Sequence, residues 1–384
     1  MENATTMKTG IITQPLHTNY GGLLQNYALQ KTLRDCGHEV YTINKRKLRE
    51  CREPVIKTLL KDCARIIARR LLNKATSMTS GEIATIQRPC QKFVDNNITT
   101  TKKYYNDKEL TEIVNRHKFE AYVVGSDQVW RPRYSANIYN DFLDFCQAEN
   151  NIKRIAYAAS FGVDEWEFTP RETTECSRLA QLFDAISVRE ESGIELCRKH
   201  LKTEAQQVID PTMLLSKETY MELAQQAGEE KSSGELFCYI LDGNDSITHT
   251  IDLLEERLSM KSFQVTPKKK SRILKRNDRI EDYIIPAPTK WIQAFNDAKI
   301  VFTDSFHGCV FSIIFNKPFW VIGNNERGNA RFHSLLTKFN LKERLIDIKE
   351  IESTDLNTPI DWERVNTIKE EWKRESLNFI KKHL

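Results

Sequence analysis

The sequence of 384 residues contains no apolar run close to the roughly 20 residues that a membrane-spanning helix requires. Its first residues do not join a basic segment to an apolar one, so they do not predict a secretory signal. Hydrophobic residues make up 40% of the chain and charged residues 29%, which is typical of a globular, soluble protein. We therefore expect a cytoplasmic protein with enough length for two domains of ordinary size.

The nine cysteines are scattered along the chain and form no Cys-x-x-Cys pair. This argues against a zinc site and a disulfide framework, and it favours reduced thiols. Histidines and carboxylates show no spacing typical of metal ligands, so we expect neither a metal nor a cofactor. Cys309 stays open as a reactive thiol, because it directly follows a polar turn at residues 303–308.

The Gly-x-Gly-x-x-Gly fingerprint of dinucleotide sites is absent as well. Residues 9–13 nevertheless predict a first strand, and a polar turn ending in Gly21 and Gly22 leads into a helix predicted at residues 23–36. A glycine pair before a helix lets a ligand approach the backbone and the free N–H groups of the first turn. This opening therefore predicts a ligand-binding turn that does not bind a dinucleotide.

Residues 299–323 contain the most informative local pattern. They predict a strand at residues 300–302, a polar turn, a helix and a second strand. Open α/β sheets bind ligands at the carboxyl ends of their strands, where a helix start also favours an anion. Asp304 and His307 lie in this turn, which makes it a candidate functional site. Two structural roles stay open, since Ser305 can cap the helix and a single histidine is often only hydrogen-bonded.

A second polar turn follows the strand predicted at residues 121–124 and begins with Gly125 and Ser126. Asp127 in this turn could be a general base or a ligand for a sugar hydroxyl, and Trp130 could stack on a sugar face. An Asx turn beside a core tryptophan is the structural alternative. The turn is therefore a second candidate for a site at a strand end.

The strand predicted at residues 185–189 ends in an arginine, Arg189. A planar guanidinium binds both oxygens of a phosphate or carboxylate, which makes this position a candidate anion ligand. A salt bridge to a neighbouring glutamate is the structural alternative.

Basic residues concentrate in residues 45–74, which hold eleven Lys or Arg against three acidic residues. Residues 54–72 within this segment predict an amphipathic helix with one apolar face, and basic residues recur every four positions along another face at Lys57, Lys61, Arg65 and Arg69. The pattern is typical of helices on anionic membranes, and equally of a helix packed on a domain with its basic face in solvent. Aromatic residues are not interleaved with these charges, so we expect no nucleic acid as partner.

Polar residues 225–234 separate two series of alternating strands and helices. We predict an α/β protein in which two Rossmann-like domains, residues 1–225 and 235–345, face a central cleft. A final helix at residues 360–384 is predicted to pack back on the body.

Seven short stretches follow one another in the order of the motifs of a known family. They span nearly the whole chain and lie at residues 19–29, 123–130, 157–162, 187–190, 208–212, 303–308 and 329–332. Together they resemble the polysaccharide pyruvyl transferase family. The resemblance implies a fold like that of the two-domain, B-type glycosyltransferases. It also implies transfer of the enolpyruvyl skeleton of phosphoenolpyruvate to two sugar hydroxyls as a cyclic ketal, with release of phosphate.

The resemblance also implies roles for individual residues. Arg189 matches the family's phosphoenolpyruvate-binding arginine. His307 matches the histidine of a family turn whose arginine is replaced here by Ser305, and we expect Arg331 to supply the missing charge. His307 suits proton donation to the methylene carbon and Asp127 suits the base role, although the two roles could be exchanged. The expected substrate-binding residues are Asn19, Gly21, Gly22, Gln25, Gly125, Ser126, Trp130, Asp304, Ser305, Gly308, Asn329 and Arg331.

We expect the first domain to bind the acceptor and the second to bind the donor. The expected partners are phosphoenolpyruvate and a saccharide of a surface polysaccharide or of its lipid-linked precursor. The basic helix is expected to place the enzyme on the inner, anionic face of a membrane. The alternative function is a nucleotide-sugar glycosyltransferase of the same architecture, and binding of a nucleotide diphosphate instead of phosphoenolpyruvate would distinguish it.

Overall fold

A computed structural model describes residues 6–46, 55–146, 151–323 and 329–384. These residues form two parallel β-sheets with flanking helices. The strands are β1 (Lys8–Ile12), β2 (Glu39–Thr42), β3 (Thr76–Ser77), β4 (Ala121–Val124), β5 (Lys153–Ala159), β6 (Ala185–Val188), β7 (Gln206–Gln207), β8 (Leu236–Tyr239), β9 (Ser262–Phe263), β10 (Ile273–Leu274), β11 (Ile300–Thr303), β12 (Phe319–Ile322) and β13 (Leu345–Ile346). The helices are α1 (Tyr20–Asp35), α2 (Val55–Arg70), α3 (Ser80–Asn97), α4 (Asp107–His117), α5 (Pro170–Ala180), α6 (Glu191–Leu196), α7 (Lys217–Gln226), α8 (Asp245–Leu258), α9 (Pro288–Asp297), α10 (Phe306–Ile314), α11 (Ala330–Lys338) and α12 (Trp362–His383).

The first sheet has the strand order β2-β1-β4-β5-β6-β7, and all of its pairs are parallel. Parallel strands are covered on both faces, which explains why β4 is an unbroken apolar run with every residue buried. Ile12 of β1 is paired with Val124 of β4, so the two strands end at the same level. The loops that follow them are therefore neighbours.

The second sheet has the order β13-β12-β11-β8-β9 and is also parallel. In each sheet the first strand lies between the second and the third, since β1 lies between β2 and β4 and β8 lies between β9 and β11. Connections leave in opposite directions at such a point, and ligands bind in the crevice beside it. The topology therefore predicts a site at the ends of β1, β4, β8 and β11.

An apolar interface joins the two sheets. Tyr20 of α1 donates a hydrogen bond to the carbonyl oxygen of Pro286 at 2.9 Å, and its ring lies 5.8 Å from that of Trp291. Antiparallel pairing of β3 with β10 also joins the two halves of the chain. Helix α12 returns to the first sheet, where the ring of Phe379 lies 6.4 Å from that of Tyr157 in β5. The exact domain boundaries stay predictions.

The structure corrects the start of one predicted helix. Helix α1 begins at Tyr20 and not at residue 23, because the side chain of Asn19 caps it by accepting from the Gly22 N–H. Helix α3 continues through Pro89. Strand β7 ends at Gln207, so Asp210 lies in the segment that follows it.

The basic amphipathic helix is α2, and Pro54, its expected start, lies outside the described residues together with the rest of residues 47–54. The interpretation of α2 as a helix packed on the body with its basic face in solvent stays open, since Lys57 and Lys61 are exposed. Arg69, one of the four regularly spaced basic residues, is buried and paired with Glu82, whose Oε1 lies 2.6 Å from Nη1. None of the helices among the described residues combines the length and the apolar character that crossing a bilayer demands.

Candidate active site

A cavity of about 650 Å³ lies where the four strand ends meet. Gln14 follows β1, Asp127 follows β4, Leu241 follows β8 and Asp304 follows β11, and all four line the cavity. The volume falls in the range of small-molecule sites, roughly 300–1,000 Å³. The cavity therefore occupies the place that the strand order of both sheets predicts.

The turn between β11 and α10 is built by local hydrogen bonds. The Thr303 hydroxyl oxygen accepts from the Ser305 N–H at 3.1 Å, and the Ser305 hydroxyl oxygen accepts from the Gly308 N–H at 3.4 Å. A Cβ atom at Gly308 would lie 2.2 Å from Thr303 Oγ1, so the turn requires glycine there. The carboxylate of Asp304 accepts from the N–H groups of Leu241 and residue 242 at 2.8 and 2.9 Å. Ser305 and Asp304 thus shape the cavity wall, while Gly308 lets the turn pack closely.

His307 lies against the start of α1. It is 6% exposed, and a Cβ atom at Gly21 would lie 2.1 Å from its Nδ1 atom. Gly21 therefore supplies space for the imidazole and does not itself line the cavity. A Cβ atom at Gly22 would lie 3.5 Å from Asp127 Oδ2, so the second glycine brings α1 close to that carboxylate.

Arg189 lies at the end of β6 among three carboxylates. Its Nη1 atom is 3.0 Å from Asp210 Oδ2, its Nε atom is 3.7 Å from Glu190 Oε1 and its Nη2 atom is 3.9 Å from Asp127 Oδ1. Burial by itself lowers the pKa of Arg189, but Glu190, Asp210 and Asp127 together raise it above the ordinary value. The side chain does not line the cavity and lies one layer behind it. The expected direct contact of Arg189 with a ligand therefore stays a prediction, and it requires the ligand to reach past the cavity wall.

Asp210 connects Arg189 with His307 and is the main site residue that sequence reasoning missed. Its Oδ2 atom is 3.7 Å from His307 Nε2, an ion-pair distance that is too long for a hydrogen bond. Its Oδ1 atom accepts from the N–H and hydroxyl of Thr212 at 3.0 and 2.7 Å. Burial favours the neutral carboxyl, but His307, Arg189 and Thr212 outweigh it and hold the pKa of Asp210 well below its usual range. Asp210 is therefore a fixed negative charge that orients the histidine.

Arg331, in the first turn of α11, also lines the cavity and is 8% exposed. Its guanidinium lies 5.6 Å from the ring centroid of Phe306, and that of Arg189 lies 4.4 Å from the same centroid. Burial and the positive charge of Arg189 lower the pKa of Arg331 to about 10, although Glu190 and Asp127 act in the opposite direction. Arg331 is thus still a cation at neutral pH, in a place where positive charge is disfavoured.

The remaining predicted residues are divided between the wall and the interior. Asn19 lines the cavity while it caps α1. Asn329 precedes α11 and packs against Gly323, where a Cβ atom would lie 3.1 Å from its Nδ2 atom. Gln25 is fully buried and donates to Thr13 Oγ1 at 2.9 Å. Asn329 and Gln25 do not line the cavity, and their expected contact with a ligand stays a prediction.

The turn after β4 contributes only Asp127 and Gln128 to the wall. The stacking role expected for Trp130 is wrong, because its ring is fully buried, stacks on Phe142 at 4.8 Å and donates from Nε1 to the carbonyl oxygen of residue 141. Ser126 is also buried and donates to Asp210 Oδ2 at 3.3 Å.

The structural alternative for this turn holds only for the core tryptophan. Asp127 Oδ1 accepts from the N–H of the next residue, Gln128, at 2.9 Å, whereas an Asx turn bonds the N–H two residues on. A Cβ atom at Gly125 would lie 3.1 Å from the Leu29 side chain, so Gly125 serves packing and not binding. The carboxylate of Asp127 is the part of this turn that remains a candidate for chemistry.

Two basic residues that line the cavity were counted in the sequence only as part of the basic segment at residues 45–74. Lys45 and Arg46 follow β2, are buried and line the cavity. Lys45 is paired with Asp141 at 2.7 Å, while Arg46 donates at 3.4 Å to the Leu16 carbonyl oxygen and at 3.5 Å to Gln91 Oε1. Their position just after a strand was the signal that could have placed them at the site.

Cys309 lies within α10, fully buried, and burial raises the pKa of its thiol far above the ordinary value. A thiol that does not ionise is a weak nucleophile. The reactive role that the sequence left open for Cys309 is therefore wrong.

The sequence profile of the polysaccharide pyruvyl transferase family matches residues 19–326 of the chain. No curated protein matches the sequence significantly. Among solved structures, Arabidopsis thaliana UGT89C1 complexed with UDP-L-rhamnose is similar, with 11% identity, coverage of 98% of this chain and 99% of that chain, and a TM-score of 0.52. The UDP-GlcNAc 2-epimerase from Methanocaldococcus jannaschii has 11% identity, coverage of 97% and 99%, and a TM-score of 0.53.

The UDP-GlcNAc 2-epimerase from Neisseria meningitidis has 9% identity, coverage of 96% of this chain and 94% of that chain, and a TM-score of 0.51. Identities this low indicate the fold alone. They confirm the expected α/β architecture of two Rossmann-like units, as in B-type glycosyltransferases and related epimerases.

Proposed function

The chain belongs to the polysaccharide pyruvyl transferase family, and from this premise we propose that it transfers the pyruvyl group of phosphoenolpyruvate to two hydroxyls of a saccharide. The product is a cyclic ketal, and phosphate is released. The acceptor belongs to a surface polysaccharide or to its lipid-linked precursor. A lipid-linked acceptor would require work at the inner surface of a membrane.

The observation that carries the proposal is the buried cation on the donor wall. Burial and the nearby positive charge of Arg189 lower the pKa of Arg331 to about 10. A bound anion would stabilise the charged guanidinium, because opposite charges attract strongly where water is excluded. Phosphoenolpyruvate offers two anionic groups, a phosphate and a carboxylate. Arg331 and His307 both line the cavity, which supports binding of such an anion. In this proposal Arg331 supplies the positive charge of the family arginine that Ser305 replaces.

The reaction needs one proton donor and one proton acceptor at each stage. In the first step a proton is added to the methylene carbon of phosphoenolpyruvate, C2 becomes electrophilic, and a sugar oxygen attacks it while losing its own proton. In the second step the C2–O bond to phosphate breaks, and the neighbouring sugar hydroxyl attacks C2 and closes the ketal. Electron pairs balance without an oxidant or reductant.

We assign the proton transfers to His307 and Asp127. Asp210 Oδ2 lies 3.7 Å from His307 Nε2, and the imidazole, which lines the cavity, is assigned the proton donation to the methylene carbon. Asp127 lines the cavity and offers a carboxylate to the sugar hydroxyl. Lys45 and Arg46 lie on the wall supplied by the first sheet, which we assign to the acceptor.

The test is product formation by the full-length protein with phosphoenolpyruvate and a panel of polysaccharides and lipid-linked saccharides. We expect phosphate release only when an acceptor is present, with an equal amount of acid-labile pyruvate in the product. Consumption of a nucleotide sugar under the same conditions, without use of phosphoenolpyruvate, would instead support glycosyl transfer.

A further inference from the structure

Helix α2 exposes its apolar side to solvent. Ile56 is 74% exposed, Leu60 67% and Leu71, just after the helix, 76%. Leu59, Ile66, Ile67 and Leu72 are exposed as well. Large exposed apolar residues elsewhere in the described parts of the chain are few and separated in sequence, whereas these form one continuous stripe. A stripe of this size on the outside of a protein indicates a binding surface.

The helix is attached to the body by its polar side. Asp62 Oδ2 accepts from the Ser80 N–H at 2.9 Å, and Arg69 makes a paired contact with Glu82 at 2.6 and 3.0 Å. Glu82 belongs to the capping box at the start of α3, and its side chain accepts from the Thr79 N–H at 2.7 Å. These contacts fix the rotation of α2 about its axis. The outward direction of its apolar side is therefore built into the fold.

The charges beside the apolar stripe favour one kind of partner. Residues 55–74 hold six basic side chains and a single acidic one, Asp62. Lys57, Lys61, Arg70 and Lys74 are exposed, whereas Arg65 and Arg69 face carboxylates of the protein. A second copy of the chain would bring like charges together across a two-fold axis, because such an interface uses the same patch twice. An anionic surface with an apolar interior satisfies both the charge and the stripe.

We propose that α2 lies in the interface of an anionic lipid bilayer, with its apolar side inserted among the acyl chains and its basic side chains at the headgroups. Such helices insert their apolar side by roughly 5–10 Å. The binding depends on apolar contact as well as charge, which distinguishes it from simple adsorption of a basic patch. It does not depend on the proposed transfer reaction, and binding of phosphoenolpyruvate is expected to be unaffected by its loss.

The first experiment is flotation of the full-length protein with vesicles of phosphatidylglycerol and phosphatidylcholine, and with vesicles of phosphatidylcholine alone. The test variant is Ile56→Gln with Leu60→Gln, which keeps the charge of α2. The matched control is Leu182→Gln with Ile273→Gln, two exposed apolar residues outside α2. Binding to the anionic vesicles is expected to fall at least about tenfold in the test variant and less than about twofold in the control. Equal binding by both variants would overturn the proposal.

The second experiment reports insertion directly. Cys63 is exposed on the apolar side of α2, so an environment-sensitive fluorophore can be attached to it in a Cys51→Ser background. A blue shift with anionic vesicles is expected, and it should persist at about 0.5 M salt, where charge attraction is screened. No shift, or complete release by salt, would mean adsorption by charge alone. A dimer in light scattering that dissociates in Ile56→Gln with Leu60→Gln, without vesicle binding, would assign the surface to a second copy.

Discussion

Two arginines near the ring of Phe306 are buried to similar degrees but have opposite electrostatic surroundings. Arg189, from the first sheet, is surrounded by Asp127, Glu190 and Asp210, which raise its pKa against the effect of burial. Arg331, from α11, has its pKa lowered by burial and by Arg189. Carboxylates of the protein raise the pKa of the first guanidinium, whereas the pKa of the second is lowered, so a bound anion would stabilise its charged form. We therefore regard Arg189 as a positioning residue and Arg331 as the ligand-binding one.

The largest effect is expected when Arg189, which is surrounded by three carboxylates, is replaced. Arg189→Ala would leave three carboxylates close together in the interior without the guanidinium that pairs with them, and loss of one partner from such a buried group costs about 3–5 kcal/mol of unfolding free energy. Urea denaturation followed by circular dichroism measures it. Arg178→Ala is the matched control, because Arg178 is half exposed and paired with Glu175 on the surface of α5. An equally small loss in both variants would show that the carboxylates do not depend on Arg189.

The next effect concerns the histidine that Asp210 orients. His307→Ala is expected to keep the fold and to lower turnover by roughly 10²-fold or more, as loss of an acid or base group does. Asp210→Asn should lower turnover less and should shift the pH profile of turnover, because it acts through the imidazole. His333→Ala, an exposed histidine of α11, is the control. Near-normal turnover of His307→Ala would make this residue structural.

A smaller effect is expected at the ring that both guanidiniums contact. Phe306→Leu removes two cation–π contacts, and a loss of about 0.5–2 kcal/mol in unfolding free energy is expected. Affinity for phosphoenolpyruvate should fall severalfold, since Arg331 loses its support. Phe339→Leu, a substitution at a buried ring that does not line the cavity, should affect stability but not affinity. Equal losses of affinity would mean that the ring acts only through packing.

The smallest effect is expected for the pH dependence of the stability that the ionised Asp210 carboxylate contributes. The folded-state pKa of Asp210 is depressed, so its ionisation stabilises the fold fully above its unfolded value of about 4 and loses that contribution as the pH falls further. The difference in unfolding free energy between the wild type and Asp210→Asn should shrink as the pH falls below about 4. Urea titrations at each pH measure it. A difference that does not shrink between about pH 4 and 3 would contradict the depressed pKa.

The sequence revealed those parts of the site that depend on local order. The strand, turn and helix at residues 299–323 are β11 and α10 almost as predicted, because apolar runs and polar turns alternate there. His307 and Asp127 were found because each lies in a polar turn after a strand, whereas Arg331 was named through the family resemblance. Their convergence on one cavity follows from the strand order, which the sequence does not display.

The parts that could not be predicted depend on contacts between distant segments. Asp210 is important because the fold brings it to both Arg189 and His307. Trp130 follows a polar turn at a strand end, where a tryptophan could stack on a sugar. Its stacking on Phe142 identifies it as a core residue, and this contact is not visible in the sequence. The rotation of α2 likewise depends on Glu82, a partner outside the helix.

The measurement that tests the central claim most directly is calorimetric titration of phosphoenolpyruvate into the wild type and into Arg331→Ala and Arg178→Ala. We predict binding by the wild type and by Arg178→Ala, affinity at least about tenfold weaker for Arg331→Ala, and a melting temperature of Arg331→Ala that is not lowered. UDP, titrated in parallel, should give no binding heat. Equal affinity of Arg331→Ala and the wild type, or binding of UDP without binding of phosphoenolpyruvate, would contradict the account.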